Sequence, residues 1–164
     1  MSWYLVVKYL HITAVALTIG GMFARQLVRG IARKSNDIKS VASLTQASVR
    51  MDRAMVIPAS NLMILLGIML AVMQKWPILG FLQGADRNWL LVSNLLLLLM
   101  IALVPIVFIP HNKKVEALVQ TASAEGRLTP ELNAALHDRR NLWAHRAEET
   151  IVLVVAALMV LKPF

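Results

Sequence analysis

The chain has 164 residues, of which 58% are hydrophobic, and its mean hydropathy is +0.64. Because soluble domains have only about 45–50% apolar residues, this composition excludes an ordinary soluble domain and indicates a membrane protein. The absence of cysteine excludes disulfides, thiolate catalysis, cysteine-ligated iron–sulfur clusters and c-type haem attachment. The net charge of +8 does not come with a basic patch interleaved with aromatic residues, so no nucleic-acid partner is predicted.

The first apolar run, residues 3–23, is predicted to be a retained membrane span rather than a signal peptide. No basic residue precedes it, Lys8 interrupts it, and no small-x-small cleavage site follows it. Lys8 and His11 are three residues apart and therefore share one helix face. Since ionisable side chains are expensive inside a membrane, this pair is a functional-site hypothesis. The helix is expected to continue through Lys34 and to end at residues 35–37.

A second helix is predicted to begin near Ile38 and to lead into a span over residues 54–73, with Pro58 kinking it. Residues 74–88 form a connecting loop, because they are rich in glycine, proline and polar residues. The third span covers residues 89–109.

The third helix is expected to continue to about Ala124, where Glu125, Gly126 and Arg127 end it. Thr129 and Pro130 then have the pattern of a helix N-cap followed by proline at the first position. We expect that last helix to run without a break into a fourth span over residues 143–162. The prediction is an all-α fold, a single domain over residues 1–164, built as a bundle of four transmembrane helices with helical extensions at one end.

The basic residues predict the orientation of the bundle. Thirteen of the seventeen lysines and arginines lie between spans one and two or between spans three and four, when Arg146 at the start of span four is counted among them. By the positive-inside rule, both connections are expected in the cytoplasm and both termini outside.

His11 is a candidate ligand for haem iron or copper. The other histidines, His111, His137 and His145, fall at or beyond the cytoplasmic edge, so two histidines from one monomer are not expected to share a haem. The methionines at a matching depth are candidate second ligands, since His–Met ligation of haem is known. They are Met63, Met69 and Met100. A homodimer that brings together two copies of His11 is a further alternative.

Lys8 and His11 can instead have structural roles only. Lys8 can extend to the lipid headgroups. His11 can be a neutral imidazole hydrogen-bonded to a polar side chain in the second or third span, or to a carbonyl freed by Pro58. Near the fourth span, His145, Arg146 and Glu149 are predicted to form an interfacial salt-bridge network.

Several short motifs carry a resemblance to a known family. Residues 8–11 (Lys-Tyr-Leu-His), Gly20-Gly21, residues 89–93 and residues 158–164 resemble a family of bacterial integral membrane proteins of unknown function. That family resembles the membrane-type, haem-dependent protoporphyrinogen oxidase and, more distantly, the copper-resistance D membrane proteins. The resemblance implies a four-helix bundle in the bacterial inner membrane and b-type haem bound by His11, with Lys8 as an essential neighbour.

The chain departs from the oxidase-like pattern at two places. Leu91 and Ser93 stand where the pattern has a histidine and a lysine, and His145-Arg146 replace an asparagine–glutamate pair. These departures argue against porphyrin oxidation and leave haem binding open.

Three functions follow from the sequence, and none of them fixes an enzymatic activity. The first is a haem-binding or redox membrane protein with His11 as axial ligand and Lys8 facing a propionate or an anionic substrate. The second is a non-catalytic membrane subunit or assembly factor, in a homo-oligomer or a larger complex. The third is a copper-handling protein that uses His11 and the methionines as ligands.

Overall fold

The computed structural model describes residues 2–163, and all the elements in that range are helical, as the sequence predicted. The α-helices of this range are α1 (Trp3–Lys34), α2 (Ile38–Met51), α3 (Ile57–Met73), α4 (Trp89–Leu103), α5 (Ile109–Glu125), α6 (Pro130–Leu136) and α7 (Arg139–Leu161). A short 3₁₀ helix, Gly80–Gln83, lies within the predicted loop.

Two segments of π-helix interrupt the long helices. Asp52–Val56 joins α2 to α3, and Val104–Phe108 joins α4 to α5. Pro58 follows the first segment and Pro105 lies within the second. Proline has no N–H to donate to the carbonyl four residues earlier, so the helical hydrogen bonds shift in register near it.

The helix ends follow the sequence signals. The Asp37 carboxylate caps α2 by accepting hydrogen bonds from the backbone N–H groups of Lys39 and Ser40. The Asp37 carboxylate also accepts a hydrogen bond from the Ser40 hydroxyl. This bond, followed by the one from the Ser40 backbone N–H, is the main reason that the pKa of Asp37 is lowered. The Thr129 hydroxyl caps α6 as predicted, and Gly126, with φ of +69°, ends α5.

The prediction of one continuous helix from Pro130 into the fourth span was wrong. The chain turns at His137 and Asp138, and the Asp138 carboxylate caps a separate helix, α7, by accepting from the Arg140 N–H. The break lets α6 pack beside α5 while α7 packs along α4.

Three stretches of helix in the described range are long and apolar enough to cross a membrane: Trp3–Lys34, Ile38–Met73 and Trp89–Glu125. They contain the first three predicted spans. The fourth predicted span lies in α7, whose first half carries Arg146, Glu148 and Glu149. The fold therefore has three candidate spans, and α7 is a further long helix beside them.

The long helices pack as two pairs, α1 with α3 and α4 with α7. Met22, Val56 and Val152 form a small apolar core where the pairs meet. At the other end, Ala71 of α3 packs with Trp89 of α4, and Met159 of α7 lies against them.

A separate apolar core holds together α2, α5 and α6, which we call the helical extension. Its buried members come from all three helices and are Ile38, Val41, Val115, Ala122, Leu132 and Ala135. The extension lies at the same end of the long helices as the C-terminal turns of α1, which pack on α2.

Candidate functional site

Five polar side chains form a closed, buried ring at the junction between the two helix pairs and the extension. We call this group the charged ring. Its members are Arg25 and Arg29 of α1, Asp52 of the first π segment, and His145 and Glu148 of α7.

Arg25 bridges the two carboxylates of the charged ring. Its Nη1 donates to Asp52 Oδ1 at 2.6 Å, and its Nη2 donates to Glu148 Oε2 at 2.7 Å. The Arg25 side chain is only 6% exposed. Because a buried charge is tolerated only when it is paired and hydrogen-bonded, Arg25 and its two partners depend on one another.

Arg29 and His145 close the ring on the other side. Arg29 Nη2 donates to Asp52 Oδ2 at 3.0 Å, and Arg29 Nη1 lies 2.6 Å from His145 Nε2. A guanidinium can only donate, so His145 Nε2 is the acceptor and His145 Nδ1 carries a proton. That Nδ1–H donates to Glu148 Oε2 at 3.0 Å. The hydrogen bonds therefore fix a neutral tautomer of His145.

Local helix geometry positions the members of the ring. Arg25 and Arg29 are four residues apart and share one face of α1, and His145 and Glu148 are three apart on α7. The first π segment begins at Asp52, and the second ends at Phe108, whose ring stacks on His145 with centroids 4.3 Å apart and planes 5° apart. Both π segments therefore contribute a side chain to this site, and π segments are frequent at functional sites.

A glycine allows α1 to approach the first π segment at the level of the ring. A Cβ atom on Gly21 would lie 2.8 Å from Met55 Cε and 2.9 Å from Val56 Cγ2, which is closer than van der Waals contact. Gly21 lies one helical turn before Arg25, so this close approach brings Arg25 to Asp52.

The charged ring balances its own charge, since two guanidinium groups face two carboxylates and a neutral imidazole. Within the described residues, Arg25 Nε and Asn141 Oδ1 are the buried side-chain atoms without a hydrogen-bond partner. The ring therefore links α1, α7 and the first π segment by charge-assisted hydrogen bonds, which are stronger than neutral ones.

The ring corrects the predicted network of His145, Arg146 and Glu149. His145 pairs with Glu148 rather than with Glu149, and Arg146 lies over the Trp143 ring at 5.5 Å. The reason is that α7 turns His145 and Glu148 toward α1 in the interior, whereas Arg146 faces outward.

The sequence interpretation missed Arg25, Arg29 and Asp52 as members of a site. A signal existed in the spacing of the buried residues of α1. Thr18, Met22 and Arg25 follow one another at intervals of four and three residues. That stripe predicts that Arg25 points inward, whereas the positive-inside rule treats every arginine as a surface charge.

His11, the predicted ligand, lies half-buried on α1 against α3. Its Nδ1 is 2.9 Å from the backbone carbonyl oxygen of Met63. A Cβ atom on Gly67 would lie 3.1 Å from His11 Cε1, so this glycine makes room for the imidazole against the α3 backbone. His11 therefore bonds to a backbone carbonyl, but Met63 follows Pro58 in the sequence, so this is neither the carbonyl freed by that proline nor one of the polar side chains expected as partners.

Lys8, the neighbour of His11, is exposed. His11 lies on the inward-packing face of α1, between Val7 and Ala14, whereas Lys8 lies to one side of that face. Within the described residues Lys8 forms no salt bridge and no side-chain hydrogen bond. This position fits the predicted extension of its side chain to the headgroups.

The three candidate methionines lie in different surroundings. Met63 is buried, and its carbonyl contacts His11. Met69 packs on the cluster that contains Val7 of α1, and Met100 is buried between α4 and α7. The part of the chain that the structure describes contains no group of three or more histidine, cysteine, aspartate or glutamate side chains that could hold a metal ion.

Comparisons with known proteins agree with a membrane fold. Residues 5–163 match the family model described as "Predicted integral membrane protein (DUF2269)". Neither the curated proteins nor the solved structures contain a match. The match covers nearly the whole chain, and its lipid environment follows from the family description together with the apolar helices. The chain therefore belongs to the DUF2269 family of predicted integral membrane proteins.

Proposed function

We propose that this protein binds b-type haem in the membrane through Nε2 of His11. The observation that carries the proposal is the hydrogen bond between His11 Nδ1 and the Met63 carbonyl. A carbonyl oxygen can only accept, so Nδ1 is the protonated nitrogen. In the neutral imidazole, Nε2 then keeps its lone pair for a metal ion.

The surroundings of His11 fit such a ligand. Histidines that bind metals usually donate their other ring N–H to a carbonyl or carboxylate, which fixes the orientation of the ring. The α3 backbone at Gly67 supports the face of the imidazole. His11 is half-buried, so part of the residue remains open to its surroundings.

Lys8 completes the proposed site. It lies one helical turn from His11 and forms no ion pair within the described range, so its ammonium group is available to a haem propionate. Bound haem supplies a one-electron redox couple, which would give this small protein a role in electron transfer. The relation to the protoporphyrinogen oxidase family remains part of this proposal.

A second protein ligand to the haem would come from one of two sources. Met63 is the predicted methionine whose backbone already contacts His11, whereas Met100 belongs to the α4–α7 core. The alternative is His11 of a second copy of the chain in a homodimer. Methionine as the second ligand would raise the reduction potential relative to bis-histidine ligation, so a redox titration would distinguish the two.

The test is the absorption spectrum of the detergent-purified protein from cells supplied with a haem precursor. We expect a Soret band that His11→Ala abolishes and that His137→Ala leaves unchanged. His137 is a matched control, because its Nδ1 also lies 2.9 Å from a backbone carbonyl, that of Asn133, but on the exposed extension.

Other outcomes would contradict haem binding and favour an alternative. A colourless, correctly inserted wild-type protein that binds copper stoichiometrically would favour copper handling by His11 and the methionines. A colourless protein that co-purifies with a fixed membrane partner would favour a non-catalytic subunit.

We further propose that α7 is a fourth span and that the bundle lies in the bacterial inner membrane with both termini outside. The lysines and arginines that lie between the first and second spans and between the third and fourth spans support this orientation. The chain has no cysteine, so single cysteines can report accessibility. We expect Gln83→Cys to react with a membrane-impermeant maleimide added outside spheroplasts and Asn36→Cys to react only after detergent is added. The reverse pattern would overturn the orientation.

A further inference from the structure

A basic cleft of about 840 Å³ lies between the end of α1, α2 and α5, next to the charged ring. Its cationic lining comes from α1, α2 and the first π segment, and consists of Arg29, Arg33, Lys39, Arg50 and Arg53. The one carboxylate that lines it is Glu116. The cleft is therefore strongly positive, which favours an anionic ligand.

Most of these cations are not neutralised by the protein. Arg29 is held by Asp52 and His145 in the charged ring. The remaining lysine and arginines of the lining, four side chains in all, form no salt bridge with any residue that the structure describes. Like charges gathered around one cleft repel one another, and a bound anion would remove that repulsion.

Asn141 supplies a second, independent feature of the cleft. The residue lines the cleft and is only 7% exposed, and its Oδ1 has no hydrogen-bond partner among the described residues. A buried acceptor without a donor is unfavourable. A hydroxyl group on the ligand would provide that donor.

The remaining lining of the cleft is partly apolar. Ala32 of α1, Val49 of α2, Val115 and Val119 of α5, and Leu136 of α6 contribute to its walls. The cleft also lies beyond residues 3–23 and 89–109, where the apolar runs of α1 and of the α4–α5 helix give way to basic residues. Basic pockets at this level of a membrane protein fit the headgroups of anionic lipids.

We propose that the basic cleft binds a phosphate ester that carries a free hydroxyl group, of the kind found in glycerol-phosphate lipid headgroups. The unpaired arginines bind the phosphate oxygens, for which the guanidinium group is well suited. The Asn141 Oδ1 accepts from the ligand hydroxyl. This site is independent of haem binding at His11.

The experiment is a binding titration of the purified full-length protein in a neutral detergent, followed by tryptophan fluorescence and native mass spectrometry. The probes are short-chain phosphatidylglycerol, glycerol 3-phosphate and, as a zwitterionic control without a free hydroxyl, short-chain phosphatidylcholine. We expect phosphatidylglycerol to bind and phosphatidylcholine to bind at least about tenfold more weakly. If glycerol 3-phosphate binds as tightly as phosphatidylglycerol, the site exists and its ligand is a soluble phosphate ester. If only phosphatidylglycerol binds, the ligand is a lipid.

Two matched variants test whether the cleft itself is responsible. The cleft variant R33Q/K39Q/R50Q is expected to weaken phosphatidylglycerol binding by about tenfold or more. The control K113Q/R139Q/R140Q removes the same charge from exposed positions outside the cleft and is expected to change binding little. Asn141→Ala should weaken phosphatidylglycerol more than a lipid with an unsubstituted phosphate. Equal losses in the two triple variants, or no binding by the wild type, would overturn the proposal.

Discussion

Replacing Glu148 by methionine is expected to lower the free energy of unfolding by about 3–5 kcal/mol. The change removes one of the two carboxylates that neutralise Arg25 and leaves a buried guanidinium without full compensation. Removing one partner of a buried ion pair is costly for this reason, and the low exposure of both side chains limits solvent screening. The single change Arg25→Met should have a similar effect, because it leaves the buried Glu148 carboxylate without a positively charged partner.

The double variant R25M/E148M should be less destabilised than the sum of the two single variants. It leaves Arg29 with Asp52, which is a balanced pair. Replacing a whole buried ion pair by apolar residues is often close to neutral. The wild type, the two single variants and the double variant form a double-mutant cycle, which measures the interaction energy between residues 25 and 148.

Unfolding of detergent-solubilised protein by sodium dodecyl sulfate, followed by far-ultraviolet circular dichroism, gives these free energies. Glu149→Met is the matched control, because Glu149 is adjacent in sequence but forms no ion pair within the described residues. If Glu148→Met destabilises the protein no more than Glu149→Met does, the charged ring does not hold α1 and α7 together.

Replacing Phe108 by alanine is expected to cost about 3–5 kcal/mol, the range found for buried aromatic residues. Phe108 is 6% exposed, and its ring stacks on the His145 imidazole. The change opens a cavity and also removes the contact that holds His145 between Arg29 and Glu148. The same unfolding titration measures the loss.

Phe81→Ala is the control for this change, since Phe81 is 63% exposed in the loop before α4. We expect it to change the free energy of unfolding by less than about 1 kcal/mol. Phe108→Leu should fall between the two, because it refills part of the cavity. Equal losses for Phe81→Ala and Phe108→Ala would mean that the stacking site does not contribute to the core.

The helices were predictable because local signals determine them. Asp37, Thr129 and Gly126 provide caps and stops whose effect depends only on neighbouring residues. The break before α7 was missed because the Asp138 cap is equally local but lies in a polar stretch that also fits a continuous helix. There, the packing of α6 on the extension core decides between two acceptable conformations.

The charged ring was not predictable from the same signals. Arg25 and Glu148 are 123 residues apart in sequence, and their pairing depends on how α7 packs against α1. Hydropathy places both residues at the membrane interface, because it scores each side chain without regard to its partners in the folded protein. His11 could be singled out because a histidine among aliphatic residues is unusual by itself.

The first π segment also determines how α1 contacts both the charged ring and the backbone beside His11. Relative to a regular helix, a π segment contains one inserted residue, and one residue corresponds to a rotation of about 100° around the helix axis. Before the segment ends, Asp52 reaches Arg25 of α1, and after it Met63 reaches His11 of the same helix. With one residue fewer, α3 would be out of phase with α2, and α1 could keep only one of these contacts. The number of residues between Asp52 and Met63 is therefore constrained, even though the Met63 contact uses a backbone carbonyl that any residue would supply.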